Sequence, residues 1–196
     1  RARLEEGLRQ VRQSHADSQL ALQVRSKEMR RWGDLLVIRD VSPRRSEDTR
    51  DAVLVWEGGD TLALPGWNGS LAVIPCLPGE CGVSARRLRD GTLEVRARRG
   101  AERMKLWPNR PSKYLKDLFA EAGVAAFERA DLPLVWLDGE LVFTGALGMD
   151  IRFCDELAHD DTLVRFEFRS EASLLGAPAD RPNLADRPAS ERRGGR

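Results

Sequence analysis

Residues 112–143 read SKYLKDLFAEAGVAAFERADLPLVWLDGELVF, and two hydrophobic periods follow one another within them. Leu115, Leu118, Phe119 and Ala122 recur at helical spacing, so 112–122 is predicted as a helix with one apolar face. Ser112 stands where a side chain can cap the first turn, and Gly123 stands where a left-handed residue can end the last. Lys113, Lys116, Asp117 and Ala120 fall on the opposite face, where Lys113 and Asp117 are spaced for an i, i+4 ion pair. The period then drops to that of strands. Leu134–Leu137 and Leu141–Phe143 flank Asp138-Gly139, the dipeptide of a tight hairpin turn.

Working outward, Val53–Trp56, Thr61–Leu64, Ser70–Ile74 and Thr92–Arg98 are strand-like runs punctuated by Gly-Gly, Pro-Gly, Asn-Gly and Asp-Gly. One main helix among many short strands defines an α+β class. Leu4, Leu8 and Val11 mark the end of a helix at the start of the chain, and two short strands around Trp32-Gly33-Asp34 follow it. Val41 to Asp51 is polar, densely charged and without apolar periodicity, as a linker is. The organisation expected is therefore 1–43 as the end of one domain, 44–51 as linker, 52–169 as a β-rich domain and 170–196 as a disordered tail. Arg1 is no start methionine, so the chain reads as a piece of something longer.

Of the 196 residues, 41% are hydrophobic and 32% charged, a composition that suits a water-exposed fold with a sizeable core. No window approaches the roughly 18 apolar residues of a membrane span, and the first residues lack a secretory apolar block, which points to the cytoplasm. Cys76, Cys81 and Cys154 form no disulfide framework by number or spacing, and with only His15 and His159 they suggest no zinc site. Idle or buried thiols are expected.

The formal net charge of +1 hides a segregation. Residues 86–116 are strongly basic and 117–161 strongly acidic, so the chain offers either a phosphate-facing surface or two halves that neutralise each other. The densest run, Arg96 to Lys116, is RARRGAERMKLWPNRPSKYLK. Its candidates for phosphate contact are Arg98, Arg99, Gly100, Arg103, Lys105, Arg110, Lys113 and Lys116. Gly100 serves either turn geometry or a close backbone approach to a ligand. Trp107 and Tyr114 either pack beside the sheet or stack on bases, the second requiring exposed rings. Arg86, Arg87 and Arg89 read as a solvated loop. Phosphate-loop, dinucleotide, zinc-protease and serine-hydrolase signatures are absent, and Asp155, Glu156, His159, Asp160 and Asp161 read as a solvated acidic loop, not a metal site.

Residues 99–148 resemble the C-terminal domain of tRNA(Ile)-lysidine synthetases. The matching segments are Gly100-Ala101-Glu102-Arg103, Leu115-Lys116-Asp117-Leu118-Phe119-Ala120-Glu121, Gly123-Val124-Ala125-Ala126-Phe127, Arg129, Leu132-Pro133-Leu134, Gly139-Glu140-Leu141-Val142 and Ala146-Leu147-Gly148. Two departures stand out: Ala101 replaces a second glycine, and Ala125-Ala126-Phe127 replaces Pro-Pro-Trp. Residues 1–40 resemble, less specifically, the end of the preceding substrate-binding domain. The resemblance implies an α+β fold akin to a domain of the phenylalanyl-tRNA synthetase β-subunit. It further implies a ligase that activates C2 of the wobble cytidine of tRNA(Ile) with ATP and joins lysine to it. ATP and lysine belong to an N-terminal catalytic domain of the same polypeptide. This chain would hold no catalytic residue or cofactor, dock the acceptor stem, stay off membranes, and act as a monomer or a homodimer. Two other readings remain: a stand-alone RNA-binding module of the phenylalanyl-synthetase type, and a protein-interaction domain using the acidic half.

Overall fold

A computed structural model of the protein describes residues 2–13, 21–25, 27–32, 35–40, 50–154 and 161–170. Helix α1 (Ala2–Gln13) carries an exposed Glu6–Arg9 pair at 2.8 Å. It precedes an antiparallel sheet of β1 (Ala21–Val24), β2 (Lys27–Trp32) and β3 (Leu35–Asp40). Three strands form where two are expected from sequence. The middle one, KEMRRW, is so charged that no alternation betrays it.

Two larger sheets follow. One is ordered β5–β6–β14–β7, from Thr61–Leu64, Gly69–Pro75, Leu163–Ser170 and Val83–Ser84. The other is ordered β13–β12–β11–β8–β4, from Gly148–Met149, Glu140–Thr144, Leu134–Leu137, Leu93–Arg96 and Ala52–Leu54. All pairings are antiparallel. Leu71, Val73, Val164 and Phe166 of the first sheet share one core with Leu93, Val95, Val135 and Leu137 of the second. The hairpin predicted at Asp138-Gly139 is present. Both residues have positive φ (53° and 79°), as a turn matched to strand twist requires.

Between β8 and β11 the chain forms a two-stranded ribbon, β9 (Arg103–Met104) and β10 (Lys113–Tyr114), then helix α3 (Leu115–Glu121). Leu115, Leu118 and Phe119 of α3 join Met104, Val124, Leu134, Leu141 and Leu147 in a second core. The expected apolar face is therefore the buried one, but the helix starts later than its pattern suggests. Ser112 does not cap it. Tyr114 holds the cap position in extended conformation without a side-chain hydrogen bond, because β10 pairs with β9 and keeps the backbone straight up to Leu115. The other end follows expectation. Gly123 takes φ 67°, its N–H donates to Ala120 O at 3.0 Å, and Val124 N–H donates to Phe119 O at 2.8 Å. Val124 and Phe119 then meet in the second core.

Three further expectations are corrected. Arg86, Arg87 and Arg89 lie on a short helix, α2 (Ala85–Asp90), not a loop; Ser84 Oγ accepts from Arg87 N–H at 3.1 Å and Leu88 is buried in the main core. Cys81 and Cys154 are joined in a disulfide, with Cα atoms 4.9 Å apart, while Cys76 is free. Their separation of 73 residues gave no local signal. Ser170, assigned to the tail, is the last residue of β14 and pairs with Gly69. Residues 171–196 and most of the linker, 44–49, lie outside the described residues. Arg50, at the linker's end, donates to Ala130 O at 2.6 Å and to Asp131 at 3.2 Å, so it is tied to the domain that follows.

Candidate nucleic-acid interface

The basic run begins at the end of β8 and divides by what holds each side chain. Arg96 lies over the Trp136 ring (4.8 Å) and pairs with Glu94. Arg99 pairs with Asp51 at 2.7 Å. Lys113 reaches across α3 to Glu121 at 2.7 Å, not to Asp117 as its spacing suggested. With α3 starting only at Leu115, Lys113 belongs to β10 and has no i, i+4 partner in the helix. These three charges are internally balanced. Arg98, Arg103, Lys105, Arg110 and Lys116 contact no carboxylate among the described residues.

The turn feeding this surface is built by Glu102. Its carboxylate accepts from the Arg99 N–H and from the Gly100 N–H at 2.8 Å. Gly100 has φ 103°, and a Cβ there would meet nothing within 4 Å. The turn requires a residue with this sign of φ, and the space beside Gly100 is open. Ala101, where the family pattern has glycine, is not among the positive-φ residues and fits without strain.

Beyond the turn, β9 and β10 place Arg103 opposite Tyr114 and Met104 opposite Lys113. Directly opposed residues share a face and neighbours alternate, so Arg103 and Tyr114 face outward while Met104 is fully buried. The Arg103 guanidinium lies 4.4 Å from the Tyr114 ring centroid, and Lys116 Nζ lies 5.7 Å from the same centroid. Arg103 Nη2 donates to Ser112 O at 2.6 Å and Nε to Ser112 Oγ at 3.4 Å. Ser112, expected to cap α3, thus orients an arginine instead. Arg110 stands over Trp107 at 5.1 Å, with the Trp107 ring half-buried against the second core. Tyr114 is 40% exposed, so of the two aromatic candidates it is the one open to a ligand.

Asp150 escaped the sequence reading. It is 0% exposed, yet it organises the far end of β9. Its carboxylate accepts from Lys105 N–H and Arg152 N–H, both at 2.9 Å, and from the Arg152 guanidinium at 2.8 Å. Ile151 N–H donates back to Lys105 O at 2.9 Å. Lys105 is clasped from both sides of its backbone, and its ammonium contacts no carboxylate among the described residues. The bond to Asp150 raises the Arg152 guanidinium above its ordinary value. The hold of Asp150 on Lys105, 45 residues away, is written in no local motif.

At Ala125-Ala126-Phe127 the turn survives without prolines. Ala125 O accepts from Glu128 N–H at 2.9 Å, and the Arg30 guanidinium of β2 lies over the Phe127 ring at 5.3 Å. The aromatic retained at this position meets the sheet that precedes the domain. Of the acidic cluster, residues 155–160 lie outside the described residues. Asp161 accepts from Ser84 Oγ and, at 3.3 Å, from Arg86 N–H, which supports the start of α2. No group of three or more His, Cys, Asp or Glu converges as a metal site among the described residues. No described helix is long and apolar enough to cross a membrane.

Fold and surface together define an antiparallel α+β domain that presents an aromatic-backed cationic face. Residues 93–165 match the family model described as the TilS substrate C-terminal domain, and over those residues the chain is similar to that family. Among curated relatives, the tRNA(Ile)-lysidine synthase of Burkholderia mallei is 38% identical over 98 residues, covering 50% of this chain and 20% of that protein. Those of Nitrosomonas europaea and Chromobacterium violaceum are 29% and 32% identical, covering 77% and 75% of this chain and 32% of each relative. The chain thus spans about a fifth to a third of the length of these relatives. A solved structure titled "Crystal structure of TILS C-terminal domain" is 21% identical, covers 63% of this chain and 99% of that one, and superposes with a TM-score of 0.46.

Proposed function

We propose that this chain is the tRNA-docking part of a tRNA(Ile)-lysidine synthase, gripping the acceptor arm of tRNA(Ile) through the outward face of β9, β10 and the first turn of α3. The observation that carries the reading is that Arg103 and Lys116, both exposed and both at the Tyr114 ring, have no carboxylate partner among the described residues. Arg98, Lys105 and Arg110 extend the same unbalanced charge. An A-form stem hides its base edges in a deep groove and displays phosphates and 2′-hydroxyls, which such a surface suits.

Ligation itself is assigned to the catalytic domain of the longer polypeptide, in the cytoplasm. There ATP activates C2 of the wobble cytidine and the lysine amine displaces AMP. Nothing in this chain is given a role in either step; its contribution is to hold the tRNA while the anticodon reacts elsewhere.

The test is the double charge reversal Arg103→Glu/Lys116→Glu, with tRNA(Ile) affinity measured across a salt series. Affinity is expected to fall at least about tenfold, and the salt slope to shrink by about two, one for each lost phosphate contact. Unchanged affinity and slope overturn the assignment.

A further inference from the structure

Resting on that docking reading, we infer that Arg103 and Tyr114 form a stacking platform for one unpaired nucleotide beside the helical stem, while the neighbouring cations take the phosphates.

An arginine serving only phosphate presents its in-plane N–H donors to the ligand. Arg103 does otherwise. The side edge formed by Nε and Nη2 is already committed to Ser112. The guanidinium carbon lies over the Tyr114 ring, 4.4 Å from its centroid. What the exposed side chain still offers is its other face, with Nη1, which has no hydrogen-bond partner among the described residues. A planar cation backed by an aromatic ring and fixed at its edge is a surface for the π-face of a base, and bases stack on guanidinium planes in RNA complexes.

A base inside a duplex has both faces covered by its neighbours in the stack. Only an unpaired nucleotide, or the last before single strand begins, can lay a face on Arg103. Lys116 Nζ, 5.7 Å from the Tyr114 centroid, is placed to meet the phosphate of the same nucleotide or the next. Two other arginines of the run lie over rings without sharing this arrangement: Arg96 on Trp136 is neutralised by Glu94, and Arg110 on Trp107 has no side-chain hydrogen bond among the described residues to fix its edge.

The experiment compares an RNA hairpin carrying a short unpaired 3′ tail with its blunt-ended twin, each titrated against the full 196-residue chain at one salt concentration. The tail is expected to raise affinity about fivefold or more, the contribution of one stacked base. Tyr114→Leu and Arg103→Lys should each bring the ratio of the two affinities to about one, the first by removing the backing ring and the second by keeping charge without a plane. The ratio is internal to each variant, so an overall loss of affinity does not mimic the result. Equal binding of both hairpins by the unaltered chain overturns the platform while leaving docking intact, as does a tail advantage that survives both substitutions. Failure of either hairpin to bind at all overturns the docking reading and the platform with it.

Discussion

Asp150 has the largest consequence of any single side chain near the surface described above. Replacing it by alanine leaves the Lys105 N–H without its acceptor and the Arg152 guanidinium without its partner. Such losses at a fully buried carboxylate cost about 3 kcal/mol. Urea unfolding of Asp150→Ala should show that decrease, with Asp150→Asn recovering about half. Asp161 sets a pH dependence. Its carboxyl is held below the usual range first by the Ser84 hydroxyl, which outweighs the opposing effect of burial, and further by the backbone N–H groups of Thr162 and Arg86. A carboxyl depressed in the folded state stabilises that state above its unfolded value, near 3.8, and the contribution disappears as pH falls through the folded value. The melting temperature of Asp161→Asn should therefore lie below that of the parent at pH 7 and converge with it in strong acid. A constant gap across that range would contradict the assignment.

Among elements, α3 makes the sharpest distinction. Its C-terminal stop depends on a left-handed residue, so Gly123→Ala should destabilise the domain by about 1 kcal/mol. Its N-terminus depends on no side chain, so Ser112→Ala should fall within about 0.5 kcal/mol of the parent, where loss of a true cap would cost about 1. Thermal or chemical unfolding of the two variants decides both. The same element shows what sequence could and could not disclose. Leu115, Leu118 and Phe119 advertise their buried face through local spacing, and Asp138-Gly139 its turn through the dihedral angles the two residues tolerate. The β9–β10 ribbon is only two residues per strand and pairs Arg103 with Tyr114 across a loop, so a cap written locally at Ser112 yields to a pairing written elsewhere. β14 is written in the sequence as plainly: Val164 and Phe166 alternate with Arg165 and Glu167 at the strand period. Within the site, charge density picked out Arg103 and Lys116. Which cations are cancelled, as Lys113 is by Glu121 and Arg99 by Asp51, depends on distances that composition does not contain.

At the scale of the whole molecule, two cores meet at the shared β11–β12 hairpin, and the Cys81–Cys154 bridge joins residues 73 positions apart in the sequence. Cross-links of that span contribute about 2–5 kcal/mol. The double variant Cys81→Ser/Cys154→Ser, or the parent in strong reductant, should unfold at correspondingly lower denaturant, whereas Cys76→Ser should change little. Cys76 should also alkylate slowly at neutral pH, since burial first, and then the nearby Glu80, push its thiol up. Lys105 is gripped on both sides by the segment at 150–151, and that segment runs directly into the bridged Cys154. The strand bearing Arg103 is therefore anchored like a die in its press. On the docking reading proposed above, an RNA arriving at it has to bring the matching contour itself, and mispaired or bent arms are expected to bind less tightly than a regular one.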